Sequence, residues 1–311
     1  MTKILFGAAL PALLALGTMH DARAQTVPRI VFQAPVTVNR KATYSQIFAM
    51  NPDGSGVVQL TSANANSYGP RWSPGQRYIA FGRIAAGAPG DQGWLYVMEA
   101  KGEAHRGRTF AVAHANQCGG SDWSPDGKEL VYEGPIGNLY IVPVDLAKGK
   151  AGTPVLFRSG KYSSPSWSPD GTRIAFWGCD DGNLPFFIKV RDVASGAEIS
   201  FGVSDPAATR FGNQTPQWSP DGSLIAFAGP AEGTTGTACE IFIANADGSD
   251  IRRVTYLKSY TFYPTWSPDL TTPTIAFRSD VSGTPSVYKM VLDSNVTTLL
   301  HSLANAPDWN P

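Results

Sequence analysis

The chain has 311 residues, balances 25 Lys+Arg against 25 Asp+Glu, and is rich in Gly (32), Pro (24) and Trp (8). Its charged fraction of 16% lies well under the roughly 25% of an average soluble domain. These values exclude a coiled coil or long helical bundle, a collagen-like repeat and a disordered chain. They also argue against nucleic acid as a main partner, because neutralising phosphates needs a cationic surplus. A turn-rich, aromatic-rich β protein remains.

The first segment reads as a secretory signal. Lys3 gives a positive start, Ile4 to Leu16 is apolar, and Ala22-Arg23-Ala24 is a small-residue cleavage site. The apolar run is too short for the ~20 residues that span a bilayer. Residues 1–24 are therefore expected to be removed after Ala24, leaving one domain over 25–311. The product is expected to be exported and not membrane-spanning. Its three Cys would then meet an oxidising compartment, where at most one bridge forms. Cys179 bridged to Cys118 or Cys239 suits the topology, and the sequence leaves the pairing open.

From there the chain repeats itself. Trp72-Ser73-Pro74-Gly75 precedes Tyr78-Ile79-Ala80-Phe81, and Trp123-Ser124-Pro125-Asp126-Gly127 precedes Leu130-Val131-Tyr132. Trp167-Ser168-Pro169-Asp170-Gly171 leads to Ile174-Ala175-Phe176, and Trp218-Ser219-Pro220-Asp221-Gly222 to Ile225-Ala226-Phe227. Trp266-Ser267-Pro268-Asp269 leads to Ile275-Ala276-Phe277, and Asp308-Trp309 stands near the end. The six Trp are spaced by 51, 44, 51, 48 and 43 residues. Each period holds a second β-branched and aromatic run, such as Leu139-Tyr140-Ile141-Val142, and a third after another turn.

Each period thus reads as four strands. Strand A ends at the Trp; the Ser-Pro-Asp-Gly turn leads into strand B; strands C and D follow. Pro presets φ, Asp bonds backbone N–H groups, and Gly admits positive φ. Four-stranded repeats of this length are propeller blades. The last repeat has a Trp strand without a strand B, while Arg29-Ile30-Val31-Phe32 is a strand B without a Trp strand. The expected fold is an all-β, six-bladed β-propeller, closed by the C-terminal strand A pairing with the N-terminal strand B.

This repeat resembles the TolB-type six-bladed propellers, a WD40-like family with WSPDG followed by an Ile-Ala-Phe strand. The resemblance covers residues 28–311. It implies a radial β fold, a periplasmic location and contacts with proteins or cell-envelope components. The family's namesake has an additional α/β domain before its propeller. Here few residues separate the cleavage site from the first strand, so a stand-alone propeller is expected.

Residues present in every blade are expected to serve the blade: Trp fills the wedge between sheets and Asp caps its own turn. Function belongs to what varies. The longer irregular segments (61–70, 113–121, 177–186, 202–216, 228–240 and 278–286) all fall on the D–A and B–C face, the expected binding surface. Near the axis the candidate ligand-binding residues are Tyr68, Arg71, Asp122, Tyr162, Gln217, Tyr263 and Asp308. The position before each Trp differs from blade to blade (Arg71, Asp122, Ser166, Gln217, Thr265, Asp308), as a specific central pocket requires. Asp180-Asp181 lacks an EF-hand spacing and reads as a polar turn. His114 and His301 follow strands D on the same face. No nucleophile elbow, H-E-x-x-H or zinc spacing accompanies them, so no catalytic residue, metal or cofactor is assigned. The function expected is a non-catalytic, monomeric binding scaffold for a protein or envelope component. The alternative is a hydrolase or lyase acting on peptides or polysaccharide fragments at the axis.

Overall fold

A computed structural model describes residues 30–38, 42–85, 93–116, 120–179, 186–204, 212–231 and 238–309. The expected signal segment, Cys118, Asp180 and Asp181 lie outside the described residues. Six antiparallel sheets follow one another along the chain, each in spatial order A-B-C-D.

Blade 1 joins both ends: Asn305–Trp309 is strand A, and Ile30–Val38, Ala42–Met50 and Val58–Gln59 are strands B to D. Ile30 pairs with Trp309 and Val31 with Asp308, the closure expected from the two half-repeats. Blade 2 is Ala65–Trp72, Tyr78–Ala85, Gly93–Glu99 and Thr109–Ala115. Blade 3 is Ser121–Trp123, Glu129–Glu133 and Leu139–Asp145, with strand D broken into Lys150–Ala151 and Val155–Arg158, both paired to strand C. Blade 4 is Lys161–Trp167, Arg173–Cys179, Phe187–Asp192 and Glu198–Phe201. Blade 5 is Gln214–Trp218, Leu224–Pro230, Cys239–Asn245 and Arg252–Arg253. Blade 6 is Thr261–Trp266, Thr274–Ser279, Ser286–Val291 and Val296–Ser302. The six strands A touch one another in a closed circle and line the axis.

The core sits between blades, which explains the low charge. Trp72 packs with Ile79 and Phe81 of its own blade against Val31, Ile47 and Ala49 of blade 1. Trp309 likewise joins Ile30 and Phe32 to Ala276, Val287 and Leu300 of blade 6. The turn after the Trp is built by its own side chains. Ser124 Oγ donates to Asp126 Oδ1 at 2.7 Å, and the Lys128 N–H donates to the same oxygen at 3.1 Å. Gly127 closes the turn at φ 69°, a left-handed conformation that glycine adopts without steric cost. The bond from the Ser124 hydroxyl, followed by that from the Lys128 N–H, holds the Asp126 carboxyl below its usual range. Asp170 and Asp221 repeat the pattern, so the repeated Asp is a turn cap.

Strand A carries one feature that the motif did not announce. Three residues before the Trp, the backbone turns left-handed at Gly69, Ser164, Thr215, Tyr263 and Ala306, with φ of 46–54°. The A–B pairing register shifts there in each of these blades. Four of the five are not glycine, and such positions are held by surrounding structure at a cost of about 1–3 kcal/mol each. Here the holding contacts run between blades: the Tyr263 N–H donates to Thr215 Oγ1 at 3.3 Å.

Candidate functional site

Strand A pairs with strand B on one side only, so the backbone N–H of each Trp faces the neighbouring blade. The residue before the Trp of the preceding blade meets it. Asp308 Oδ2 accepts the Trp72 N–H at 2.8 Å, and Asp122 Oδ2 accepts that of Trp167 at 2.7 Å. Ser166 Oγ accepts the Trp218 N–H at 3.4 Å and Thr265 Oγ1 that of Trp309 at 3.1 Å. The variable position is therefore an inter-blade latch at four of six junctions, filled by short side chains that carry an acceptor.

The two exceptions are Arg71 and Gln217, at the diametrically opposed junctions 2/3 and 5/6. There the indole N–H of the next Trp donates to the backbone oxygen instead, Trp123 to Arg71 at 3.2 Å and Trp266 to Gln217 at 3.1 Å. The two longer side chains do not serve as latches. Arg71 Nη1 lies 3.4 Å from Asp308 Oδ1.

These residues surround an axial cavity of about 220 Å³, walled by the six repeat Trp, five of the turn prolines, Asp122, Gln217, Thr265 and Asp308. The prolines place it at the WSPDG end of the axis. The described parts of the long segments expected as the binding surface lie at the other end. Of them, residues 117–119, 180–185, 205–211 and 232–237 are outside the described residues. The Trp are 3–7% exposed, so each both fills its wedge and presents an edge to the cavity.

Of the seven candidate residues, Asp122, Gln217 and Asp308 line this cavity and Arg71 joins them through Asp308. The three tyrosines do not line it, because they occupy three different repeat positions. Tyr162 is buried in the wedge between blades 3 and 4, with its ring against Phe176 at 5.1 Å and under Arg158 at 5.0 Å. Tyr263 occupies the left-handed bulge, and Tyr68 is half-buried on strand A of blade 2. The role of Ser166 and Thr265 as latches was open to the sequence only as a polar residue before Trp.

The histidines stand apart. His114 lies tilted against Trp94 in blade 2 with centroids 3.8 Å apart, and His301 lies against Phe32 at 4.9 Å. Cys179 and Cys239 are both buried and do not bridge each other. Burial, reinforced by Glu240, pushes the Cys239 thiol up to about 12.

Burial raises both axial carboxyls, and the Arg71 charge opposes the rise in each. Asp122 is pushed up to about 7, with Asp308 adding to the effect. An acid whose folded pKa exceeds its unfolded value of about 3.9 stabilises the fold at low pH and loses that contribution as pH rises through the folded pKa. Asn at 122 keeps an acceptor for the Trp167 N–H and cannot ionise. Asp122→Asn is therefore expected to gain on the wild type between about pH 4 and 7, by on the order of 2 kcal/mol. Urea unfolding across that range measures it, and parallel curves for the two proteins would refute it.

A model of the TolB beta propeller domain matches residues 144–311. A protein TolB homolog of Chlorobium luteolum is 31% identical over 156 residues, covering 49% of this chain and 33% of that protein. The Tol-Pal system protein TolB of Bordetella pertussis is 35% identical over 158 residues, covering 50% and 33%. The chain thus matches about a third of the length of these curated relatives. The crystal structure of TolB from Acinetobacter baumannii superposes with a TM-score of 0.69 at 17% identity, over 91% of this chain and 67% of that one. With its six blades, its terminal closure and this match over more than half its length, the chain belongs to the TolB beta propeller domain family.

Proposed function

We propose that the chain is exported, loses residues 1–24 after Ala24, and acts in the periplasm as a non-catalytic binding scaffold for a protein or envelope component. Residues 25–311 would form its single domain. The observation that carries this reading is the axial cavity at the two junctions without a latch. Gln217 is freed there for a ligand, beside Asp122 and Asp308, with Arg71 held behind them on Asp308. The indole N–H groups of Trp218 and Trp309, two residues of the cavity wall, are buried without a partner among the described residues. The name of the Bordetella pertussis relative places that protein in the Tol-Pal system, which supports an envelope partner here. No helix among the described residues is long and apolar enough to cross a membrane.

The enzymatic alternative gains nothing from this geometry. The axial carboxylates are engaged in latches and the Arg71 pair, and His114 and His301 belong to other walls. Gln217→Trp fills the cavity mouth and removes no latch. Capture from a periplasmic extract is expected to retain envelope proteins on the wild-type ring and to lose them on Gln217→Trp. Equal capture by both, or turnover of glycans or peptides by the wild type, would overturn the proposal.

A further inference from the structure

The outer edge of blade 3 departs from the neutrality of the chain. Between Leu146 and Tyr162 the sequence holds Lys148, Lys150, Arg158 and Lys161 and no carboxylate. The three lysines are exposed. Strand D is interrupted by exposed Gly152-Thr153-Pro154, and the following Val155 and Leu156 are 65% and 52% exposed. Successive strand residues point to opposite sides, so one apolar side chain projects on each side of a free edge.

Neutralisation from neighbouring elements is partial. Asp145 meets Lys148 at 2.8 Å. Glu198 of blade 4 takes Arg158 at 3.1 Å, but shares its carboxylate with Lys189 at 3.2 Å and Arg191 at 3.6 Å. One carboxylate thus faces three cations in the groove between blades 3 and 4. The outer strand of blade 6, Val296–Ser302, has no charged residue apart from its histidine, and that of blade 4 carries Glu198; blade 5 has Arg252–Arg253 there, but each faces its own carboxylate, Asp250 at 3.2 Å and Glu240 at 2.9 Å.

We propose that this edge docks on an anionic lipid surface, with Val155 and Leu156 entering the headgroup layer and the lysines meeting its phosphates. Lys148 and Lys150 stand at one end of the strand, Arg158 at the other with Lys161 just beyond it where strand A of blade 4 begins, and the apolar pair lies between them. That arrangement is a line rather than a pocket, and flexible lysines on a line suit a laterally mobile layer of phosphates more than a fixed pattern of carboxylates on a protein. Near such a surface each basic residue is worth about fivefold in partitioning, and apolar side chains add to it. This inference goes beyond the axial scaffold: vesicle binding uses the outer edge of one blade and capture through the cavity the inner strands, so the two fail independently.

The test is co-sedimentation of residues 25–311, whose described part closes on itself through blade 1. The vesicles are phosphatidylcholine alone and equal parts of phosphatidylcholine and phosphatidylglycerol. Binding is expected on the anionic vesicles only, and should fall as salt is raised. A variant combining Lys148→Glu, Lys150→Glu and Lys161→Glu is expected to bind about a hundredfold more weakly or worse. A control combining Arg77→Glu, Arg252→Glu and Lys258→Glu changes the same net charge elsewhere and should retain binding. All six side chains are exposed, and thermal melts verify folding. Binding without preference for phosphatidylglycerol, equal loss in both variants, or retention on poly-glutamate beads without vesicle binding would each overturn the proposal, the last in favour of an acidic polypeptide.

Discussion

Deleting residues 304–311 is expected to leave a chain that no longer unfolds cooperatively. Strand Ile30–Val38 would lose its pairing with Asn305–Trp309 and present a free edge toward the axis. Trp309 alone, packed with Ile30, Phe32 and Leu300, is worth about 3–5 kcal/mol on the scale of large-to-small core changes. The deletion also removes Asp308, which latches Trp72 and pairs with Arg71, and the Trp309 N–H that Thr265 holds. Together these losses reach the ~5–15 kcal/mol by which ordinary domains are stable at all. Circular dichroism during urea unfolding reads the outcome. A deleted chain that kept a single sharp transition at more than half the original midpoint would show that five blades and a fragment suffice.

The second large effect concerns Arg71. It is the cation common to two buried carboxyls, 3.4 Å from Asp308 and electrostatically coupled to Asp122. Removing one partner from such a group leaves uncompensated buried charge, at about 3–5 kcal/mol. Arg71→Met keeps much of the apolar stem and deletes only the charge. With the cation gone, both carboxyls move further up, and protonation becomes their way to neutrality. The loss in Arg71→Met is therefore expected near its full size at pH 8 and reduced at pH 5, where Asp122, already raised to about 7 with the cation present, is protonated. A loss of the same size at both values would mean that Arg71 acts through packing alone. Adding Asp122→Asn to the variant should recover part of the loss at pH 8, because one of the two stranded charges is then absent.

Much of the fold was legible because its signals are local and repeated. The Ser-Pro-Asp-Gly turn names its own geometry: Asp126 bonds Ser124 and Lys128 within five residues, and Gly127 supplies the positive φ. Ile174-Ala175-Phe176 reads as a buried strand because both of its faces are covered, and all three are fully buried. The unmatched strands at the two ends required a ring, and Ile30 does pair with Trp309.

The candidate site was legible only in part. The position before each Trp varies, and the sequence invites one explanation for that variation. The structure separates it into two. Asp122, Ser166, Thr265 and Asp308 vary within the set of short acceptors that reach the next blade's N–H, whereas Arg71 and Gln217 leave that set. Tyr68, Tyr162 and Tyr263 looked equivalent by type and nearness to Trp. Counted from the Trp, they occupy different positions on a bulged strand, so Tyr162 turns into the wedge and Tyr263 takes the bulge. A bulge formed by Ser164, Thr215 or Tyr263 has no glycine to announce it.

By itself, then, the sequence determined the number of blades, the turns that join strands A and B, and the closure of the ring. Each of these depends on contacts between residues a few positions apart, or on a count of halves that must match. The tertiary structure decided which end of the axis holds the cavity, which pre-Trp side chains are consumed in holding the ring, and how Arg71 comes to lie by Asp308, 237 residues away in the chain. Those relations pass between neighbouring blades, where burial raises the cost of every unpaired N–H and every lone charge, and no spacing in the sequence records them.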